Sequence, residues 1–181
     1  MAALSDFAAD LLEEAKRFLE KTSDGSSDDG TKAFLHAALM LGFAAFEAHV
    51  NAIADDFLSR SDLSPHEIGV LSEKAVELVH GEFQVNNTLK IQRLEDRVLF
   101  LCQRFSKTPI DRTATHWSEF KVATQLRNKL THPKGGLLVI KEDEIRRALT
   151  AIIELLNVMY LNIYRKKLPA HSRGLASKKS F

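Results

Sequence analysis

The sequence predicts an all-α protein, a helical bundle of about five to six helices. Long runs rich in Ala, Leu, Glu and Lys are made of strong helix formers. Gly and Pro number only 8 and 4 in 181 residues, so chain breaks are few. Most segments carry apolar residues at steps of three and four, the spacing of one helix face. Eleven Phe stand against two Tyr and one Trp, and 45% of the chain is hydrophobic, enough for a single compact core.

The elements follow in order. Residues 4–21 place Leu4, Phe7, Leu11, Leu12, Ala15, Phe18 and Leu19 on one face with Glu and Lys between them, an amphipathic first helix. The polar stretch Thr22 to Gly30 breaks it. From Thr31 to about Arg60 apolar residues occupy nearly every face, among them Phe34, Leu39, Phe43, Phe46, Val50 and Ile53, which predicts a central helix. Ser64, Pro65 and Glu67 have the form of an N-cap, a first-turn proline and an acidic first turn, opening a shorter helix to about His80. Gly81 to Asn87 then reads as loop. Residues 88–105 and 114–131 predict two further helices around a break at Pro109. The second must stop before Pro133, because a residue preceding proline is pushed out of the α region. Leu137 to Ile140 reads as an extended connector, and Glu142 to Lys166 as a last long helix. Residues 1–166 thus form one domain, followed by a basic, flexible tail over 167–181.

Composition narrows the function. Net charge is +1, so no global field draws in nucleic acid or an anionic membrane. The single cysteine, Cys102, lies in an apolar run and fits a reducing, cytoplasmic setting. Neither a signal peptide nor an uninterrupted membrane span is expected. Paired-cysteine zinc patterns, H-E-x-x-H, the P-loop and glycine-rich dinucleotide turns are all missing from the sequence, so no cofactor or metal is expected.

What remains is polar residues where a helix should bury apolar ones. At 100° per residue, Phe120, Ala123, Arg127 and Leu130 form one stripe, which turns the Arg127 guanidinium inward. On the central helix His36, Met40, Phe43, Glu47, Asn51 and Ala54 line up at steps of three and four. Glu47 and Asn51 are therefore read as inward, with Glu47 a partner for the planar fork of Arg127. A structural reading stands beside this one, in which the pair only fixes helix register. His36 reads as a structural helix histidine. Asn128 and His132 are four residues apart along one edge of the helix that bears Arg127, and Lys129 and Lys134 add charge nearby. Imidazole exchanges protons near neutral pH and guanidinium holds a phosphodiester, so Arg127 and His132 together can cleave RNA without a metal.

At R-N-K-L-T-H the sequence resembles the HEPN superfamily, the higher eukaryote and prokaryote nucleotide-binding helical domains, whose hallmark is Arg, four to six residues, then His, commonly with a polar residue after the Arg. The stretch F-A-A-F-E-A-H-V-N, with Glu47 and Asn51, is similar to the acidic early-helix segment of several branches. The resemblance covers about Thr31 to Lys166. It implies a homodimer of helical bundles and a metal-independent endoribonuclease of a toxin-antitoxin or anti-phage system. In that scheme His132 is the general acid/base, Arg127 stabilises the phosphorane-like transition state, Asn128 orients His132 or the phosphate, and Glu47 holds Arg127. The products are a 2′,3′-cyclic phosphate and a 5′-hydroxyl. Replacing Glu47 is then expected to lower both activity and stability. Two other pairs, Arg60 with His66 and Arg165 with His171, have five residues between and fall within the same permitted range; the first straddles the break at Pro65 and the second lies toward the tail. The competing expectation is a non-catalytic module that pairs with a partner such as a nucleotidyltransferase-type antitoxin. Sequence-specific DNA binding ranks third, since no basic recognition helix is present.

Overall fold

The computed structural model describes residues 2–23, 28–106, 108–133, 135 and 139–180. Among these the chain forms six helices, α1 (Ala2–Lys21), α2 (Asp28–Phe57), α3 (Pro65–Ser72), α4 (Leu94–Phe105), α5 (Thr115–Thr131) and α6 (Glu142–Tyr164). One antiparallel hairpin, β1 (Lys74–Val79) and β2 (Glu82–Leu89), and a closing 3-10 turn over Pro169–Arg173 complete it. The all-α expectation holds for the bundle.

The central helix is α2. It buries Leu35, Leu39, Phe43, Phe46, Val50 and Ile53 on different faces because α1, α6, α3, α4 and α5 surround it. By length and apolar content alone α2 matches a membrane span; here its apolar side chains are used on neighbouring helices. Gly42 lets α6 come close, since a Cβ there would collide with Leu149 Cδ2. Phe120 of α5 is fully buried between Phe46, at 4.6 Å between ring centroids, and Phe43, at 5.8 Å. That aromatic contact seats α5 on α2 and so fixes where the next two turns of α5 fall.

Three expectations fail. The helix begun by the Ser64 capping box ends at Ser72, with Glu73 in the left-handed conformation at φ 52°. The chain then forms a hairpin in place of the helix to His80 and the loop over 81–87. Val79 pairs with Glu82, leaving a two-residue loop in which both His80 (φ 51°) and Gly81 (φ 88°) are left-handed, the geometry that matches strand twist. Consequently α4 begins at Leu94 rather than 88.

The third correction concerns the tail. Leu168 and Ala170 are buried, and the Leu168 N–H donates to Asn157 Oδ1 at 3.1 Å. Arg173 reaches Glu13 at 2.6 Å, and the Lys178 N–H donates to the same carboxylate at 2.7 Å. The basic segment docks on α1 because that helix supplies the opposite charge. Burial alone pushes the Glu13 carboxyl up, but the donors from Lys178, Arg173 and Lys16 outweigh it and hold Glu13 below its ordinary value. Leu137 and Leu138 of the connector expected over 137–140, and Lys134, lie outside the described residues.

Candidate active site

Two turns beyond Phe120, Arg127 leaves α5 toward α2. Its Nη2 donates to Glu47 Oε1 at 2.7 Å, and its Cζ sits 5.2 Å from the centroid of the Phe43 ring. Phe43 and Glu47 are one helical turn apart, so a single edge of α2 both supports the guanidinium plane and binds one end of it. The pair is half in water: the Arg127 side chain is 23% exposed and that of Glu47 47%. Glu47 is thus less inward than its place on the helix implies. Arg127 Nε is buried without a partner, a donor the fold leaves unused.

These groups border a cleft of about 850 Å³ between α2, α5 and the segment that joins β2 to α4. Asn51 and Asn128 line it with Glu47 and Arg127. His132 does not line it. It is the exposed C-cap of α5, with φ −131° and ψ 66°, and its N–H closes the last turn onto the Asn128 carbonyl at 2.9 Å. Pro133 forces that exit from the helix, as expected. The imidazole itself makes no hydrogen bond among the described residues.

The other two Arg and His pairs are engaged elsewhere. Arg60 binds Asp62 through two nitrogens at 2.8 and 2.9 Å, and His66 packs edge-on to Phe83. Arg165 is the left-handed cap of α6, and His171 is bound to both oxygens of Glu154. The Arg127 region alone pairs a guanidinium at a cleft with an unengaged imidazole.

Sequence reasoning missed Arg97. Its side chain is 5% exposed, and it donates to Asn51 Oδ1 at 2.7 Å and to the Leu71 carbonyl at 3.2 Å, with Glu73 at 3.2 Å. Asn51 therefore serves Arg97 rather than Arg127. Burial lowers the Arg97 pKa, against the attraction of Glu73, Glu47 and Asp55. Glu73 also accepts the Gln92 N–H, and its carbonyl accepts the Lys90 N–H, so both ends of the hairpin are tied at this node. A signal was present: Leu94, Arg97 and Leu101 sit at steps of three and four on the apolar side of α4, the same anomaly that singles out Arg127. His36, read as structural, has a buried Nε2 with no partner, and burial, then Lys32, lowers its pKa.

Cleft charge is mixed. Arg93, Arg97 and Arg127 face Glu47, Glu73, Glu95 and Asp96, so carboxylates outnumber guanidiniums by one. Among the described residues no group of three metal-ligating side chains occurs. Compared with family models, with curated proteins and with solved structures, the chain finds no match in any of the three.

Proposed function

We propose that the protein is a metal-independent endoribonuclease of HEPN type, acting in the cytoplasm as a homodimer and as a toxin or anti-phage component. The observation that carries this reading is the Arg127 and Glu47 pair on a cleft wall, with Asn128 beside it and an unengaged His132 at the end of the same helix. In the proposed step the ribose 2′-oxygen attacks phosphorus and the bond to the 5′-oxygen breaks. His132 takes the 2′ proton or delivers one to the departing oxygen, water making the complementary proton transfer, and Arg127 stabilises the extra negative charge on phosphorus. Asn128 orients the imidazole or the phosphate. Glu47 keeps the guanidinium in one rotamer through its single short bond. Leu89 and Ile91, 68% and 77% exposed on the cleft rim, are the apolar surface a second copy would cover.

One observation favours a second reading. An excess of carboxylates around the cleft repels an RNA backbone and attracts a basic segment, which fits a non-catalytic module that binds a partner such as an antitoxin. Incubating labelled, structured RNA in EDTA with wild type and with His132→Ala separates the two. Cleavage by wild type that the variant loses supports the nuclease. Equal cleavage by both removes His132 from the reaction, and inactivity of both transfers the weight to partner binding.

A further inference from the structure

A second cavity, of about 440 Å³, opens where the last turns of α2 and α6 meet the start of α1 and the root of the C-terminal segment. None of the residues assigned to the candidate site lines it. Its volume falls at the small end of the range for ligand sites. Leu4, Ile53 and Pro169 supply apolar surface.

Beside them stand Tyr160 and Tyr164, with ring centroids 5.4 Å apart at 62°. Both hydroxyls are held by neighbouring side chains. Tyr164 donates to Asp56 Oδ2 at 2.5 Å, and the Tyr160 hydroxyl pairs with Nδ1 of the buried His49 at 3.0 Å. Rings anchored at their tips present fixed faces, a preorganised wall rather than one that must be ordered on binding.

Charges of both signs border the same space. Asp55 and Asp56 come from the end of α2; Lys166 and Lys167 follow α6, and all four residues are exposed. Neither lysine ammonium forms an ion pair or hydrogen bond among the described residues, although two carboxylates line the cavity with them. A simple anion entering here would meet the carboxylates, and a simple cation the ammoniums. A neutral apolar molecule would engage none of the four charges. Only a ligand bearing both signs on an apolar body matches every part of the lining.

We propose that this cavity binds a small zwitterion of aromatic α-amino-acid chemistry, its ammonium against Asp55 and Asp56, its carboxylate against Lys166 and Lys167, and its ring on the apolar floor beside the tyrosines. The site shares no lining residue with the Arg127 cleft.

Calorimetric titration of the full chain with L-phenylalanine, phenethylamine and 3-phenylpropionate tests it, because the last two each lack one charge. The zwitterion is expected to bind at least about tenfold more tightly than either analogue, the equivalent of about 1.4 kcal/mol. An Asp55→Asn, Asp56→Asn double variant should reduce L-phenylalanine to the level of 3-phenylpropionate. A Lys166→Met, Lys167→Met double variant, altered only at exposed positions, should reduce it to the level of phenethylamine. Equal binding of a singly charged analogue overturns the proposal, as does no binding of L-phenylalanine up to about 10 mM. His132→Ala should bind L-phenylalanine as wild type does.

Discussion

Two guanidiniums reach α2 within one helical turn of each other and end in opposite circumstances. Arg127 meets Glu47 at a solvent-open cleft, makes one short bond and keeps donors to spare. Arg97 meets Asn51 in the interior and spends both terminal nitrogens on Asn51, Leu71 and Glu73. Exposure decides the difference. A buried guanidinium must spend its donors on the protein, since each orphaned partner is costly. A half-exposed one is screened and contributes little to stability, which leaves it free for an incoming phosphate. The contrast teaches that an arginine on an apolar stripe marks a node, and that the number of its uncommitted donors separates chemistry from architecture.

The largest effect should come from Arg127→Ala. RNA cleavage is expected to fall by about 10²- to 10³-fold, the loss typical for removing a donor to a developing charge, with unfolding changed by at most about 1 kcal/mol. Single-turnover rates and a denaturant melt check both halves. A variant that keeps its activity would erase the distinction between the two arginines.

Next in size is Arg97→Met. It strands Asn51 Oδ1, the Leu71 carbonyl and Glu73, and should lower stability by about 3 kcal/mol. Urea midpoints measure it. A neutral result would show that the node is ornamental to folding.

His49 extends the comparison to a polar group on α2 that is buried outright, 2% exposed. Burial lowers its pKa to about 4 from the usual 6.5. The unfolded chain then binds the proton more readily, so stability is complete above about pH 6.5 and falls as pH drops toward 4, by about 2 to 3 kcal/mol at pH 4.5. His49→Leu should flatten that slope in unfolding experiments run between pH 7 and 4.5. A slope unchanged by the substitution would assign the acid sensitivity to other groups.

The smallest change belongs to Glu47→Ala. The sequence pattern led us to expect losses of both activity and stability. With 47% of its side chain exposed, Glu47 should contribute under about 1 kcal/mol to folding, while cleavage drops about tenfold as Arg127 loses its anchor. A loss of several kcal/mol in a thermal melt would place the pair with Arg97 among the structural nodes.

These contrasts also show what was legible. The cores of α2, α5 and α6 follow from long, periodic apolar patterns that tertiary contacts reinforce. The pairing of Arg127 with Glu47 follows as well, because each breaks the apolar pattern of its own helix. The hairpin did not follow, because Val76 and Val79 continue the apolar spacing of α3, and a short apolar run fits helix or strand equally. Its signals were the alternation of Phe83 and Val85 with polar neighbours and the His80–Gly81 loop. Docking of the tail was hidden for another reason: Arg173 finds Glu13 160 residues away, and no local pattern carries a contact of that range. Arg97 was readable by the test that found Arg127.

The nuclease assignment is tested most directly by identifying the ends left on RNA cut by the purified protein in EDTA. The account predicts 2′,3′-cyclic phosphate and 5′-hydroxyl termini, produced by wild type and missing with Arg127→Ala. Termini of 3′-hydroxyl and 5′-phosphate, or cleavage that only a divalent cation restores, would contradict it.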